Sequence, residues 1–122
     1  MDTVHWDQRK ALQRVDGDAE LLCDLVEMFF EEYPDQLSCL MQSLAQRDFA
    51  AVRKTAHTLK GSLGYLGACE GEQLAVAIER ASQSGEATSV RLLVSDLAAY
   101  VESLRDVMQS PEGELNSAAG QC

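Results

Sequence analysis

Helical periodicity runs through nearly the whole of this sequence, and it is the feature that most limits the possible folds. Apolar residues recur at steps of three and four along five consecutive segments, and no stretch alternates apolar and polar residues as a strand would. Short connections between long amphipathic helices favour antiparallel neighbours. The sequence therefore predicts an all-α protein, an antiparallel up-down four-helix bundle with a short extra N-terminal helix.

The expected helix boundaries follow from capping residues, stop signals and the phase of the apolar positions. We expect helices at about residues 4–15, 19–44, 49–66, 71–84 and 87–108. Asp18 and Asp48 are the expected N-caps of the second and third helices, and Gly67 and Gly85 are expected stop signals. Pro34 lies in the second apolar stripe without changing its phase. That segment is therefore either one long kinked helix or two nearly collinear pieces.

Length and charge limit the organisation of the chain and its partners. The 122 residues are enough for one domain with a core, which we expect at residues 1–109, and residues 110–122 read as a disordered tail. Ten basic residues against 20 acidic ones give a net charge of −10, which disfavours nucleic acid as a partner. There is no apolar run of membrane-spanning length and no signal-peptide pattern. We expect a soluble cytoplasmic protein that binds neither nucleic acid nor membrane.

The third predicted helix differs from the rest of this acidic chain in its charge and its glycines. Residues 49–69 contain three of the ten basic residues, Arg53, Lys54 and Lys60, and none of the acidic ones. Gly61 and Gly64 lie in the same segment, although a glycine costs a helix about 1 kcal/mol relative to alanine. A helix that keeps such residues usually does so for packing or for function.

Helical geometry places His57 on the side of this helix that faces away from its apolar residues. At about 100° per residue, Arg53, Lys60, Gly61 and Gly64 fall on the same side as His57. The apolar stripe falls on the opposite side and consists of Val52, Ala56, Leu59, Leu63 and Leu66. His57 is therefore expected to be exposed among cations and small residues rather than buried in the core.

An exposed histidine among cations suggests phosphoryl acceptance. A neutral imidazole nitrogen is a good nucleophile near neutral pH, and nearby cations stabilise a phosphoryl group during transfer and once it is attached. Gly61, one turn after His57, would leave the ring open to a second protein. The sequence has no acidic cluster for Mg²⁺, no nucleotide-binding loop and no CxxC pair. We therefore expect no cofactor, no metal and no kinase activity of its own, so the chain is predicted not to be an enzyme.

The segment AHTLKGSLGYLGA, at residues 56–68, resembles the signature of histidine-containing phosphotransfer (HPt) domains. His57, Lys60 and Gly61 have the spacing of that signature, and later glycines follow. The resemblance extends over about residues 5–108 and implies a four-helix bundle that serves in a bacterial-type two-component phosphorelay. Such a domain accepts a phosphoryl group from a receiver-domain aspartate and passes it to another receiver. It is commonly a monomer, and its receiver partners supply the Mg²⁺.

The resemblance also implies a role for each residue that matches the family pattern. His57 would be phosphorylated, through Nε2, while Lys60 would steady the phosphoryl oxygens and Gly61 would provide clearance. Glu79 occupies the place of a Gln or Glu on the following helix that holds the other ring nitrogen in many family members. The candidate partner-docking residues are Arg53, Lys54, Gly64 and Tyr65.

Two other functions remain open from the residues alone. A docking module could use the same glycine-and-cation face without any phosphoryl chemistry, and Arg53 and Lys54 are either part of such a face or simply solvated charges. An independent hydrolase would need a second acid or base positioned near His57. The sequence also leaves open the cognate kinase and response regulator, the direction of phosphate flow, and whether the chain is free-standing or excised from a larger protein.

Overall fold

The computed structural model describes residues 5–109, and the regular secondary structure of these residues is entirely helical. The helices are α1 (Gln8–Arg14), α2 (Ala19–Ala45), α3 (Phe49–Tyr65), α4 (Cys69–Gln83) and α5 (Ala87–Met108). Connections of three residues join α2 to α3, α3 to α4 and α4 to α5. The prediction of an all-helical protein is confirmed, whereas the tail predicted at residues 110–122 lies outside the described residues.

Aspartate side chains begin the first three helices. The Asp18 carboxylate accepts a hydrogen bond from the backbone N–H of Leu21 at 3.0 Å, and that of Asp48 accepts one from Ala51 at 3.2 Å. Each bond satisfies a backbone donor that has no partner within the helix, which confirms both predicted N-caps. The first helix starts later than expected because Asp7 caps it.

The second helix is continuous through Pro34. It extends from Ala19 to Ala45 as one element, so the alternative of two separate helical pieces is wrong. Pro34 is exposed. The pyrrolidine ring therefore faces solvent, and the core-facing side of the helix keeps its apolar residues in register through the proline.

Left-handed residues make the tight connections between the helices. Gly67 and Gly85 have φ values of +78° and +68° after α3 and α4, as their role as stop signals predicts. Arg47 adopts the same region after α2, with φ +56°, without being a glycine. The start of the fourth helix differs slightly from expectation, because α4 begins at Cys69 rather than near residue 71. No side chain caps it.

The core is a single cluster that extends from Trp6 to Met108. The α2 and α4 helices each pack against both α3 and α5, so each of the four long helices has two neighbours. The predicted stripe of α3 is the centre of this core, and its members are 0–3% exposed: Val52, Ala56, Leu59, Leu63 and Leu66. Across residues 5–109, no helix combines the length and the hydropathy that a membrane crossing requires.

Candidate functional site

The outer face of α3 carries His57 opposite the buried stripe. Ala56 and Leu59 are fully buried, whereas 67% of the His57 side-chain surface is exposed. The helix cannot turn His57 inward without moving apolar residues from the core into water, which costs about 25 cal/mol per Å². The packing of α3 therefore fixes an exposed imidazole.

Glu79 on α4 connects His57 to Lys60. Its Oε2 lies 3.0 Å from Nδ1 of His57, and its Oε1 lies 3.0 Å from Nζ of Lys60. The Glu79 side chain is only 17% exposed, against 30% for Lys60. One carboxylate on a neighbouring helix thus holds two residues of α3 that are one turn apart.

The protonation of the site follows from the charge of Glu79. Burial alone would raise the pKa of the Glu79 carboxyl. The hydrogen bonds from Lys60 and His57 together lower it by more than burial raises it, so the net pKa is below the usual 4.5. Glu79 is therefore ionised at neutral pH, and a carboxylate can only accept a hydrogen bond. In the neutral ring the Nδ1–H of His57 must then be the donor, which leaves the Nε2 lone pair free.

Glycine leaves the space beside His57 open on one side. An added Cβ at Gly61 would meet nothing within 4 Å, and the residue is exposed. A flat approach to the imidazole along the helix is therefore unobstructed at this position. Replacing Gly61 with a long side chain would fill the open space at this position.

Gly64 does not share that exposed position, and its prediction as a docking residue is corrected. It is buried, and a Cβ there would lie 2.9 Å from the Glu72 carboxylate on α4. The calculated helical phase points Gly64 towards the His57 side, but α4 crosses over the last turns of α3 and covers it. Gly64 thus serves the packing between α3 and α4.

The other predicted docking residues are exposed but lie at different places around His57. Arg53 and Lys54 are solvent-exposed one turn before His57 and form no ion pair with another described residue. Tyr65 is 41% exposed at the far end of α3, where its hydroxyl donates to the backbone carbonyl of Arg14 at 3.3 Å. The structure brings His57, Lys60 and Glu79 together and leaves these three residues on the surrounding surface.

A groove of about 450 Å³ between α2 and α3 adjoins the open side of Gly61. We call it the α2–α3 groove, and Glu32 is the charged residue on its wall. Its other lining residues are Leu25, Met28, Phe29, Thr58, Gly61, Ser62, Tyr65 and Leu66. Sequence reasoning missed this groove, although Met28 lies off the main stripe of its helix and is 50% exposed. An exposed methionine next to an apolar stripe is the signal that could have indicated it.

The described residues form no cluster that would hold a metal ion. Within residues 5–109, no three His, Cys, Asp or Glu side chains come close enough together for that purpose. The site therefore consists of an exposed nucleophilic nitrogen, one carboxylate, one ammonium group and an open approach beside a glycine. Its geometry suits the acceptance of an electrophilic group brought by another molecule.

Comparison with known proteins identifies the family of this helical site. The Hpt domain family model matches residues 24–117, which include His57, Lys60 and Glu79. The chain belongs to the Hpt domain family, whose members are histidine phosphotransfer intermediates of two-component phosphorelays.

One curated relative is the phosphotransferase RcsD of Escherichia coli (strain K12). It is 34% identical over 77 residues, which are 63% of this chain and 9% of that protein. The chain thus spans about a tenth of the length of the curated relative that it matches. No solved structure is a significant match.

Proposed function

We propose that the protein is a phosphorelay intermediate that accepts a phosphoryl group on His57 from a receiver-domain phosphoaspartate and passes it to another receiver domain. The observation that carries this proposal is the Glu79 carboxylate at Nδ1, because it leaves Nε2 as the free and exposed nucleophile. The family membership supports the same reaction. The resulting protein is a phosphotransfer intermediate in the cytoplasm rather than an enzyme.

The proposed transfer forms one bond and breaks one. The Nε2 lone pair of His57 attacks phosphorus, and the acyl-phosphate P–O bond breaks so that the partner's aspartate leaves as a carboxylate. No proton needs to depart, because Nδ1–H remains and the ring becomes cationic. Glu79 stabilises that cation through its hydrogen bond, as a preorganised carboxylate does at a site of developing charge. Onward transfer reverses these steps with a second receiver.

Lys60 serves the phosphoryl group in this proposal. Its ammonium group lies on the same helix face as His57, one turn later, and is held by Glu79 in the resting protein. When a phosphoryl group arrives on Nε2, Lys60 neutralises part of its charge. The Mg²⁺ that such a transfer requires comes from the receiver, as does most of the catalysis, and this chain needs no cofactor or metal of its own.

The α2–α3 groove is the surface that we propose for the receiver. It adjoins Gly61, so a receiver helix seated there would bring its phosphoaspartate over His57. Arg53 and Lys54 lie at the other end of the exposed face and offer positive charge to an acidic receiver surface. The monomer, with α2 to α5 arranged as an antiparallel up-down four-helix bundle, is the unit that we propose to dock.

The test is intact-protein mass spectrometry after mixing with a phosphorylated receiver domain and Mg²⁺. Wild type should gain one acid-labile phosphoryl group, and His57→Gln should gain none. His5→Gln is the matched control, since His5 is the other of the two histidines and is exposed. If wild type binds receivers but gains no phosphoryl group from any of them, the chain is a docking module and the proposal fails.

A further inference from the structure

The N-terminal segment, residues 5–15, is fastened to the end of α3. The indole N–H of Trp6 donates to the backbone carbonyl of Leu66 at 2.7 Å in a buried position, and the backbone N–H of Asp7 donates to that of Gly67 at 3.2 Å. Ala11 is fully buried. The contact with Gly67 is so close that a Cβ there would overlap the Asp7 carbonyl, so the junction requires glycine at this position.

The same segment holds Tyr65 at the rim of the α2–α3 groove. The Tyr65 hydroxyl donates to the backbone carbonyl of Arg14, and the Arg14 guanidinium lies 5.9 Å from the centre of the Tyr65 ring. That distance is within the range of a cation–π contact. Tyr65 is thus anchored at both its hydroxyl and its ring by the single residue Arg14, while 41% of its surface remains exposed to a partner.

Tyr65 and Leu66 connect the N-terminal segment to the α2–α3 groove. Both line the α2–α3 groove and both are bonded to the N-terminal segment: the Tyr65 hydroxyl donates to Arg14, and the Leu66 carbonyl accepts from Trp6. The orientation of the Tyr65 side chain at the groove rim therefore depends on the segment. The segment also precedes the part of the chain that matches the Hpt domain family, which begins at residue 24.

We propose that Tyr65 is a specificity-determining residue for receiver docking, and that Arg14 and Trp6 are positioning residues that hold it at the rim of the α2–α3 groove. This inference rests on the proposed function and adds the device that selects among partners. His57, Lys60 and Glu79 perform the transfer with any receiver that reaches them. The N-terminal segment holds the Tyr65 side chain at the rim of the groove and thereby selects which receivers seat well.

The lining of the groove defines the chemistry of the preferred receiver. Met28 and Tyr65 provide exposed apolar surface, and Glu32 provides the charge on the wall. A receiver helix that presents an apolar side chain flanked by a basic residue fits both features. A receiver with an acidic residue at that flank would place like charges together and should bind less well.

The experiment measures transfer to a panel of receiver domains with Tyr65→Phe and Arg14→Gln proteins. Tyr65→Phe keeps the ring but removes the hydroxyl bond to Arg14. For the preferred receiver we expect KM to rise about three- to tenfold, the effect of losing one typical hydrogen bond, with kcat unchanged. The ratio of KM for the other receivers to KM for the preferred receiver should fall by the same factor. Arg14→Gln removes the cation beside the Tyr65 ring and should also raise KM. Arg14→Lys keeps a cation there and should bring KM most of the way back to the wild-type value.

Two controls separate positioning from general damage. Arg9→Gln removes an equal charge from an exposed position on α1 and should leave KM unchanged. Phosphoramidate donates its phosphoryl group to an imidazole with release of ammonia and needs no docking groove. Its rate of phosphorylating His57 should therefore be the same in wild type and in all of these variants. Trp6→Phe extends the series, since it removes the indole donor while keeping an aromatic ring.

Three outcomes would overturn the inference. They are an unchanged KM for every receiver, a KM that rises equally for all receivers, and a parallel loss of the phosphoramidate reaction, which would indicate general damage. Calorimetric titration of each receiver into proteins that also carry His57→Gln needs no transfer chemistry. The docking inference can thus be tested even if wild type accepts no phosphoryl group, in which case only the proposed function has failed.

Discussion

At the scale of single residues, Glu79 decides how His57 can react. It accepts a hydrogen bond from the imidazole and an ion pair from Lys60 with its two oxygens, both at 3.0 Å. The α4 carboxylate thus orients the side chains of both α3 residues. The most direct predictions at this scale therefore concern Lys60 and Glu79.

Lys60→Ala should slow phosphoryl transfer about 100–1,000-fold, because removing one preorganised group that stabilises developing charge costs that order of rate. The fold should persist, since Lys60 lies on the outer face of α3. Rapid-quench transfer from a phosphorylated receiver gives the rate, and the half-life of the phosphohistidine gives its stability. Arg91→Ala removes an exposed cation of α5 and should leave kcat unchanged. A normal kcat in the Lys60→Ala protein would exclude Lys60 from the mechanism.

The stability contributed by Glu79 should depend on pH in a definite direction. Its pKa is lower in the folded protein than the usual 4.5, so the ionised form is favoured by folding. The contribution should be complete above about pH 4.5 and should be lost as the pH falls through the lower folded value. Urea unfolding of wild type and Glu79→Gln between pH 3 and 7 measures this contribution. The difference in the free energy of unfolding between the two proteins should be constant above about pH 4.5 and should shrink below it.

Glu31→Gln is the control for that measurement. Glu31 is exposed on α2 and forms no ion pair with another described residue. Its free-energy difference from wild type should be small at every pH. A Glu79→Gln difference that stays constant down to pH 3 would show that the carboxylate is not held by His57 and Lys60 in solution.

At the scale of the helices, two glycines within helices have opposite packing. Gly61 on α3 has open space where a Cβ would be, whereas a Cβ at Gly71 on α4 would lie 2.6 Å from the Tyr100 ring and 3.1 Å from Leu63. Gly71 therefore allows α4 to approach α3 and α5 closely. The close approach also carries Glu79, two turns later on α4, towards His57.

An alanine at each of these positions should change stability in opposite directions. Gly61→Ala should raise the free energy of unfolding by up to about 1 kcal/mol through helix propensity. Gly71→Ala should lower it by about 1–3 kcal/mol, because the core must move to admit a methyl group. Chemical denaturation measures both. Equal effects at the two positions would contradict the described contact between α4 and its neighbours.

The sequence predicted what lies within one helix better than what lies between two. The phase of α3 placed His57 outside and Leu59 inside, and both positions are as expected. Gly64 was misplaced because helical phase carries no information about how far α4 overlaps α3. The start of α4 was missed because Ala68 provides no side-chain cap, the signal on which boundaries are predicted. The contact between Trp6 and Leu66 joins residues 60 positions apart and leaves no local pattern.

At the scale of the whole molecule, the N-terminal segment and the four long helices share one core. Trp6 is 8% exposed and belongs to the same buried cluster as Met108 at the end of α5. It is also the one tryptophan of the chain, so its fluorescence reports the junction of the N-terminal segment with α3. A shared core predicts that this junction opens only when the molecule unfolds.

Urea unfolding followed by tryptophan fluorescence and by far-ultraviolet circular dichroism should therefore give coincident transitions. Fluorescence reports the surroundings of Trp6, and circular dichroism reports all helices together. An earlier fluorescence transition would show that the N-terminal segment detaches on its own, which would also weaken its proposed role in holding Tyr65. Trp6→Phe followed by circular dichroism alone gives the stability of the remaining contacts.

The shared carboxylate of Glu79 has a consequence for how a phosphorylated state would be recognised. His57 and Lys60 lie on a helix whose inner face is fully packed, so an arriving phosphoryl group can redirect the Lys60 ammonium without moving α3. The phosphorylated and unphosphorylated forms would then have the same backbone fold. The two forms would differ only in the phosphoryl group and its charge at His57. A receiver would therefore have to distinguish them by its own affinity for phosphate, because no distant surface of this molecule would change.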